Sequence, residues 1–166
     1  IIPSNDAFIA NEGSMDHEIF DEEGNFVGAE IVLLGSDVLD AGTEANDEIA
    51  ANTAFLGQMA PDTGDAEGGV VATHSGFMAV GSGGILDEAM FASADFLASG
   101  YQLARIVVSS KPPRPAKLIV TVENLAPENG TYITPLWAGF QDGSFDIYDI
   151  DAPASAALER IAEDGN

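Results

Sequence analysis

The chain contains no cysteine, which excludes a disulfide framework and any Cys-ligated zinc site. Basic residues are nearly as scarce: five Lys and Arg stand against 28 Asp and Glu, a net charge of −23. A surface of that sign repels nucleic-acid phosphates and anionic lipid, so DNA or RNA binding is excluded as a main role. It suits divalent cations, a salty medium or plain solubility. No apolar run approaches the ~20 residues that a membrane span needs. The chain opens at Ile1-Ile2-Pro3 without a basic n-region, so no signal peptide is read. The two histidines, His17 and His74, do not make a His-x-x-x-His zinc pair. No Gly-x-Ser-x-Gly elbow is present. Gly81-Ser82-Gly83-Gly84 lacks the Lys-Ser/Thr that a phosphate loop requires. The acids from Asp142 to Asp151 do not follow EF-hand spacing. With a single tryptophan, the aromatic lining of a sugar cleft is thin, and no enzyme is expected.

What is present is a chain of 166 residues, 46% apolar, enough to build the core of one ordinary domain. Short β-branched stretches alternate with Gly, Pro, Asn and Asp clusters. The segment 17–28 reads as a hairpin with its turn at Gly24-Asn25. Strands are expected at 29–34, 70–74, 101–108 and 117–124, then at 131–140, interrupted by Pro135, and over the alternating residues 145–149. The segment 154–162 carries helix formers with Leu158 and Ile161 on one face, predicting a short helix. Lys111-Pro112-Pro113-Arg114-Pro115 reads as a linker. Strands separated by frequent turns, with one helix, predict an all-β chain built as an antiparallel β-sandwich.

One stretch draws attention for its chemistry. Val38 to Glu44 ends an apolar run with Asp40 and Glu44 on either side of Gly42. Carboxylates on a tight loop can ligate a hard cation such as Ca²⁺. Two solvated loop acids are an equal alternative on spacing alone. Asp6 is likewise either a turn cap or a ligand.

Several motifs together resemble the spondin N-terminal domain family. They are Val120-Thr121-Val122-Glu123-Asn124, Tyr132-Ile133-Thr134-Pro135-Leu136-Trp137 and Gly139-Phe140, then Leu158 to Gly165. Ile2-Pro3-Ser4-Asn5-Asp6 and Asp40-Ala41-Gly42-Thr43-Glu44 resemble that family's Pro-Ser-x-Asp and Asp-Ala-Gly-Thr-Asp/Glu motifs. The likeness is nearest to bacterial spondin-domain proteins. It implies a C2-like β-sandwich in a secreted or cell-surface protein, holding Ca²⁺ through Asp6, Asp40 and Glu44. Glu44 stands where animal members carry aspartate, with a longer arm. Animal members belong to extracellular-matrix adhesion proteins.

The motif order is reversed here. Residues 1–110 resemble the later part of the domain and 116–166 the earlier part, with 111–115 between them. The chain is then either a permuted domain or parts of two tandem domains. The Pro-rich joint suits the tandem arrangement, which predicts strands completed by neighbouring chains or residues. The expected function is a non-catalytic calcium-binding adhesion or matrix module. The alternatives are a subunit of an extracellular fibre or surface assembly and, third, a carbohydrate-active enzyme. Expected partners are calcium, other copies of the chain and surface or matrix components.

Overall fold

The computed structural model describes residues 6–10, 17–53, 57–60, 63–111, 117–133, 136–142 and 144–163. In chain order the strands are β1 (Ala7–Ile9), β2 (Ala29–Leu34), β3 (Val38–Asp40), β4 (Ala72–Thr73), β5 (Gln102–Lys111) and β6 (Lys117–Asn124). One helix, α1 (Ala156–Glu163), follows. They form two antiparallel three-stranded sheets, ordered β1-β3-β4 and β2-β5-β6.

The larger sheet arises where β-branched residues are densest, because branched side chains fit a pleated surface. β6 pairs with β5 without a break, from Asn124 opposite Ala104 to Lys117 opposite Lys111. The segment read as a linker therefore lies between two paired strands, and its residues 112–116 fall outside those described. β2 covers the other edge of β5, with its register shifting between Leu33 and Leu34. The chain then turns through a single 3-10 turn, Gly35–Asp37, and enters β3 of the other sheet. The Asp37 carboxylate fixes that turn by accepting the Leu34 N–H at 2.7 Å.

The core draws on both sheets. Leu33 of β2, Val38 of β3, Leu103 and Ala104 of β5, and Phe96 form one buried cluster, with Ala7 and Ile9 of β1 packed against it. A second cluster joins Leu39 and Val71 to Leu158 of α1. The helix expected at 154–162 forms two residues later, at Ala156–Glu163, and Ser155 Oγ accepts the Leu158 N–H at 3.2 Å, as an N-cap serine does. The hairpin at 17–28 is present as a single bridge between Phe20 and Phe26, whose rings meet edge-on at 5.6 Å. Its turn places Gly24 at φ +79°.

Two expected strands do not form. Residues 131–133 and 136–140 join no ladder, and neither do 145–149; Thr134 and Pro135 lie outside the described residues. Side chains meet the backbone of Thr131 instead of a ladder. Its N–H donates to Tyr101 Oη at 3.0 Å, and its carbonyl accepts Asn124 Nδ2 at 3.1 Å. Among the described residues, no helix is long and apolar enough to cross a membrane.

Candidate metal centre

β1 and β3 pair with Ala7 opposite Asp40. That register sets Asp6 beside the turn after Asp40, and its carbonyl accepts the Ala41 N–H at 3.2 Å. Only glycine suits the next position. Gly42 has φ +69°, and a Cβ there would meet the Val70 backbone nitrogen at 2.5 Å. The chain returning through 65–69 runs antiparallel to this turn. Ala45 N–H donates to Asp65 O at 2.8 Å, Glu67 N–H to Thr43 O at 2.9 Å, and Gly69 N–H to Gly42 O at 2.7 Å. These bonds bring Glu67 to the turn.

Asp6 is fully buried. Its Oδ2 accepts the Thr43 N–H at 2.9 Å, the Thr43 hydroxyl at 3.3 Å and the Glu44 N–H at 3.2 Å. Its Oδ1 has no hydrogen-bond partner. One oxygen from each of Asp6, Asp40 and Glu67 lies within 4.8 Å of the other two. Asp40 is held by Gly42 N–H at 2.7 Å on Oδ1 and by Asn46 Nδ2 at 2.6 Å on Oδ2. Glu67 is exposed, so the group opens to solvent on that side.

The electrostatics follow from this crowding. Burial, and then the Asp40 charge, push the Asp6 carboxyl above its ordinary value, while the N–H groups of Glu44 and Thr43 pull it back. Burial, Asp40 and Asp6 raise Glu67 in the same way. Three carboxylates crowded together repel one another unless a proton or a cation intervenes. A buried carboxylate oxygen with no partner costs free energy that either would recover. The donor set is all oxygen, which suits Mg²⁺, Ca²⁺ or Mn²⁺ better than Zn²⁺ or Cu²⁺. Two ligands of one ion lie at most about twice a ~2.4 Å Ca–O bond apart, and the three oxygens lie within 4.8 Å of one another, inside that limit.

Of the three acids expected at the site, Asp6 and Asp40 come together, and Glu67 completes the group. Glu44 is on the same turn but arranged differently. Its backbone N–H serves Asp6, while its buried carboxyl accepts a bond from the Gly64 backbone. Burial pushes that carboxyl up to about 7, and Glu163, Asp6 and Asp47 add to the rise. Its Oε2 has no hydrogen-bond partner. Glu67 escaped notice because nothing in Ala66-Glu67-Gly68-Gly69 announces which turn it pairs with. The signal that could have found it is the run of glycines after an acid, able to lie close against Gly42.

His74 is buried but serves packing. Its ring meets Phe96 edge-on at 5.2 Å and Phe77 at 6.3 Å, and its Nδ1 accepts the Gly76 N–H at 2.9 Å. Burial lowers its pKa.

Compared with protein-family models, curated proteins and solved structures, the chain matches none.

Proposed function

We propose that this chain is a calcium-binding module of spondin type, secreted or displayed at a cell surface, serving adhesion or matrix contact without catalysis. One observation carries the metal reading: the buried Asp6 Oδ1 lacks a partner and belongs to a group of three converging carboxylates. Ca²⁺ fits better than Mg²⁺, because Ca²⁺ accepts irregular oxygen cages whereas Mg²⁺ holds its waters and demands an octahedron. The spondin reading rests on the quoted motifs. It gains support from the pairing that brings Asp6 to Asp40, the geometry those motifs imply. The β5–β6 pairing and the packing of Leu158 against Leu39 and Val71 favour a single permuted domain, sandwich-like, over parts of two.

Thermal melting after exhaustive chelation, followed by titration of Ca²⁺ and Mg²⁺, tests the reading. Ca²⁺ is expected to raise the melting temperature and Mg²⁺ to do so less; no shift with either ion refutes it. Asp40→Asn should remove the response. Comparing Glu67→Gln with Glu44→Gln identifies the third ligand, since only loss of a ligand weakens the calcium-dependent shift.

A further inference from the structure

Among the described residues, β6 presents a free and unguarded strand edge. Within β6, Leu118 to Val122 carry no charge and no proline, and the pairing to β5 shows no bulge. Among the described residues, no strand covers its outer side. Leu118, Ile119 and Val120 are exposed on both faces. Edges of this kind are normally blunted by inward charges, proline or bulges, because their open N–H and C=O groups recruit another strand. The opposite edge of the same sheet is blunted. β2 carries Glu30, slips register at Leu33/Leu34 and ends in a 3-10 turn.

We propose that two copies of this chain join through β6, antiparallel, about a two-fold axis at Val120. Charge selects a second copy of the chain, and it selects this surface. A chain of net charge −23 repels its own copies almost everywhere, yet β5 and β6 together hold three of the five basic residues, Arg105, Lys111 and Lys117, and one of the 28 acids, Glu123.

Charge also selects the register. Side chains alternate between faces, with Lys117, Ile119, Thr121 and Glu123 on one and Leu118, Val120 and Val122 on the other. A two-fold at Val120 keeps each face with its own kind. It sets Lys117 opposite Glu123 of the second copy, Leu118 opposite Val122, Ile119 opposite Thr121, and Val120 opposite itself. Moving the axis to Ile119 carries Glu123 past the end of β6; moving it to Thr121 sets Ile119 against Glu123. Both shifts forfeit the two ion pairs. The groups are ready for this contact. Arg105 reaches Glu123 only through Oε2, leaving Oε1 for an incoming lysine, and Lys117 has no ion pair among the described residues. Such a two-fold joint closes on itself and yields a six-stranded sheet across two chains, not a fibre.

The absence of cysteine makes the register directly testable in the full chain. Residues facing each other across antiparallel strands have Cα atoms about 4.5–5.5 Å apart, within the roughly 4.4–6.8 Å that a disulfide spans. Val120→Cys should therefore oxidise rapidly to a covalent dimer. Leu118→Cys should not, because its two copies sit about 13 Å apart along the strands. Sedimentation over a concentration series should show a monomer–dimer equilibrium, and Lys117→Glu should raise its dissociation constant about tenfold. The proposal is overturned by a monomer at every concentration or by an open-ended series of larger species. It is equally overturned if Leu118→Cys cross-links as readily as Val120→Cys.

Discussion

The two sheets solve the problem of holding strands together in opposite ways. The strands of β2-β5-β6 have six, ten and eight residues, and their ladders run almost unbroken. The strands of β1-β3-β4 have three, three and two, and their surroundings bury Asp6, Glu44 and His74. A long ladder satisfies its own backbone and needs little else. A short one depends on what surrounds it: the apolar cluster shared with the larger sheet, the turn at Gly42, and the carboxylates beside it. The candidate site sits on the sheet with the shorter ladders, so an ion bound there is expected to hold that sheet first.

The severest way to break this contrast is to remove the core that both sheets share. Phe96 is nearly fully buried against Leu33, Val38 and Leu103, and it receives the edge contacts of His74 and Phe77. Phe96→Ala should cost about 3–5 kcal/mol, and in urea both sheets should melt together at a lower midpoint. If the larger sheet kept its stability, the two would be independent units.

A pH series comes next in size. Burial raises Glu44 from its ordinary 4.5 to about 7 in the folded chain. Between those values the folded state binds more protons than the unfolded one. Glu44 therefore lowers the stability of the metal-free chain as pH rises through that window, by at most about 3 kcal/mol, while His74, whose pKa burial lowers from 6.5, acts against it in the lower part of the window. Asp6 acts in the same direction as Glu44. The carboxyls held below their ordinary value are Asp21 by Asn25, Asp87 by the Gly81 and Gly83 N–H groups, and Asp142 by Ser144. They act oppositely, losing stability only as pH falls below about 3.8, outside the window. Between urea melts at about pH 5 and about pH 7.5, the change in stability of the wild type should be more negative than that of Glu44→Gln, which keeps the His74 contribution and lacks the Glu44 one.

What could be read in advance divides along the same line. β2, β5 and β6 were legible because their runs of Ile, Val and Leu are long enough to announce a pleated, half-buried surface. The helix was legible through its helix formers and the Leu158–Ile161 face. Of the small sheet only β4 was legible, inside the strand expected at 70–74, because two or three residues carry no period. The sheet's existence follows from long-range register, Ala7 opposite Asp40 and Asp40 opposite Ala72, which no local pattern encodes. The Asp6–Asp40 encounter was expected only through a family likeness. Glu67 was missed for the same reason that β4 is faint: both are placed by pairing with a turn far away in sequence. The segments at 131–140 and 145–149 misled because a local strand pattern does not supply a partner strand; at Thr131 the side chains of Tyr101 and Asn124 take the backbone bonds instead.

Chelation should sharpen the contrast residue by residue. With free Ca²⁺ at about 100 times its dissociation constant, the folded state gains about 2.7 kcal/mol. Removing it should hasten amide hydrogen exchange at Ala41, Thr43 and Glu44, whose N–H groups bond to Asp6, while β5 and β6 change less. Equal acceleration everywhere would mean that the ion stabilises the whole fold and not the small sheet in particular.

The smallest effect is expected where the charges look most deliberate. Arg105, on the outer face of β5, reaches Glu123 with Nε at 3.1 Å and also with Nη2, and lies 3.7 Å from Glu30. All three side chains are open to water, where attraction is screened and ordering long side chains offsets most of the gain. If the larger sheet stands on its ladder and its inner face, Arg105→Ala should leave the melting temperature nearly unchanged, and added salt should matter little. The inner face pairs Ile31 with Ile106, and Ile106 with Val122, and removing any one of these should cost far more. A large loss from Arg105→Ala would mean that charge on the exposed face holds the strands. The larger sheet would then depend on its surroundings as much as the smaller one does.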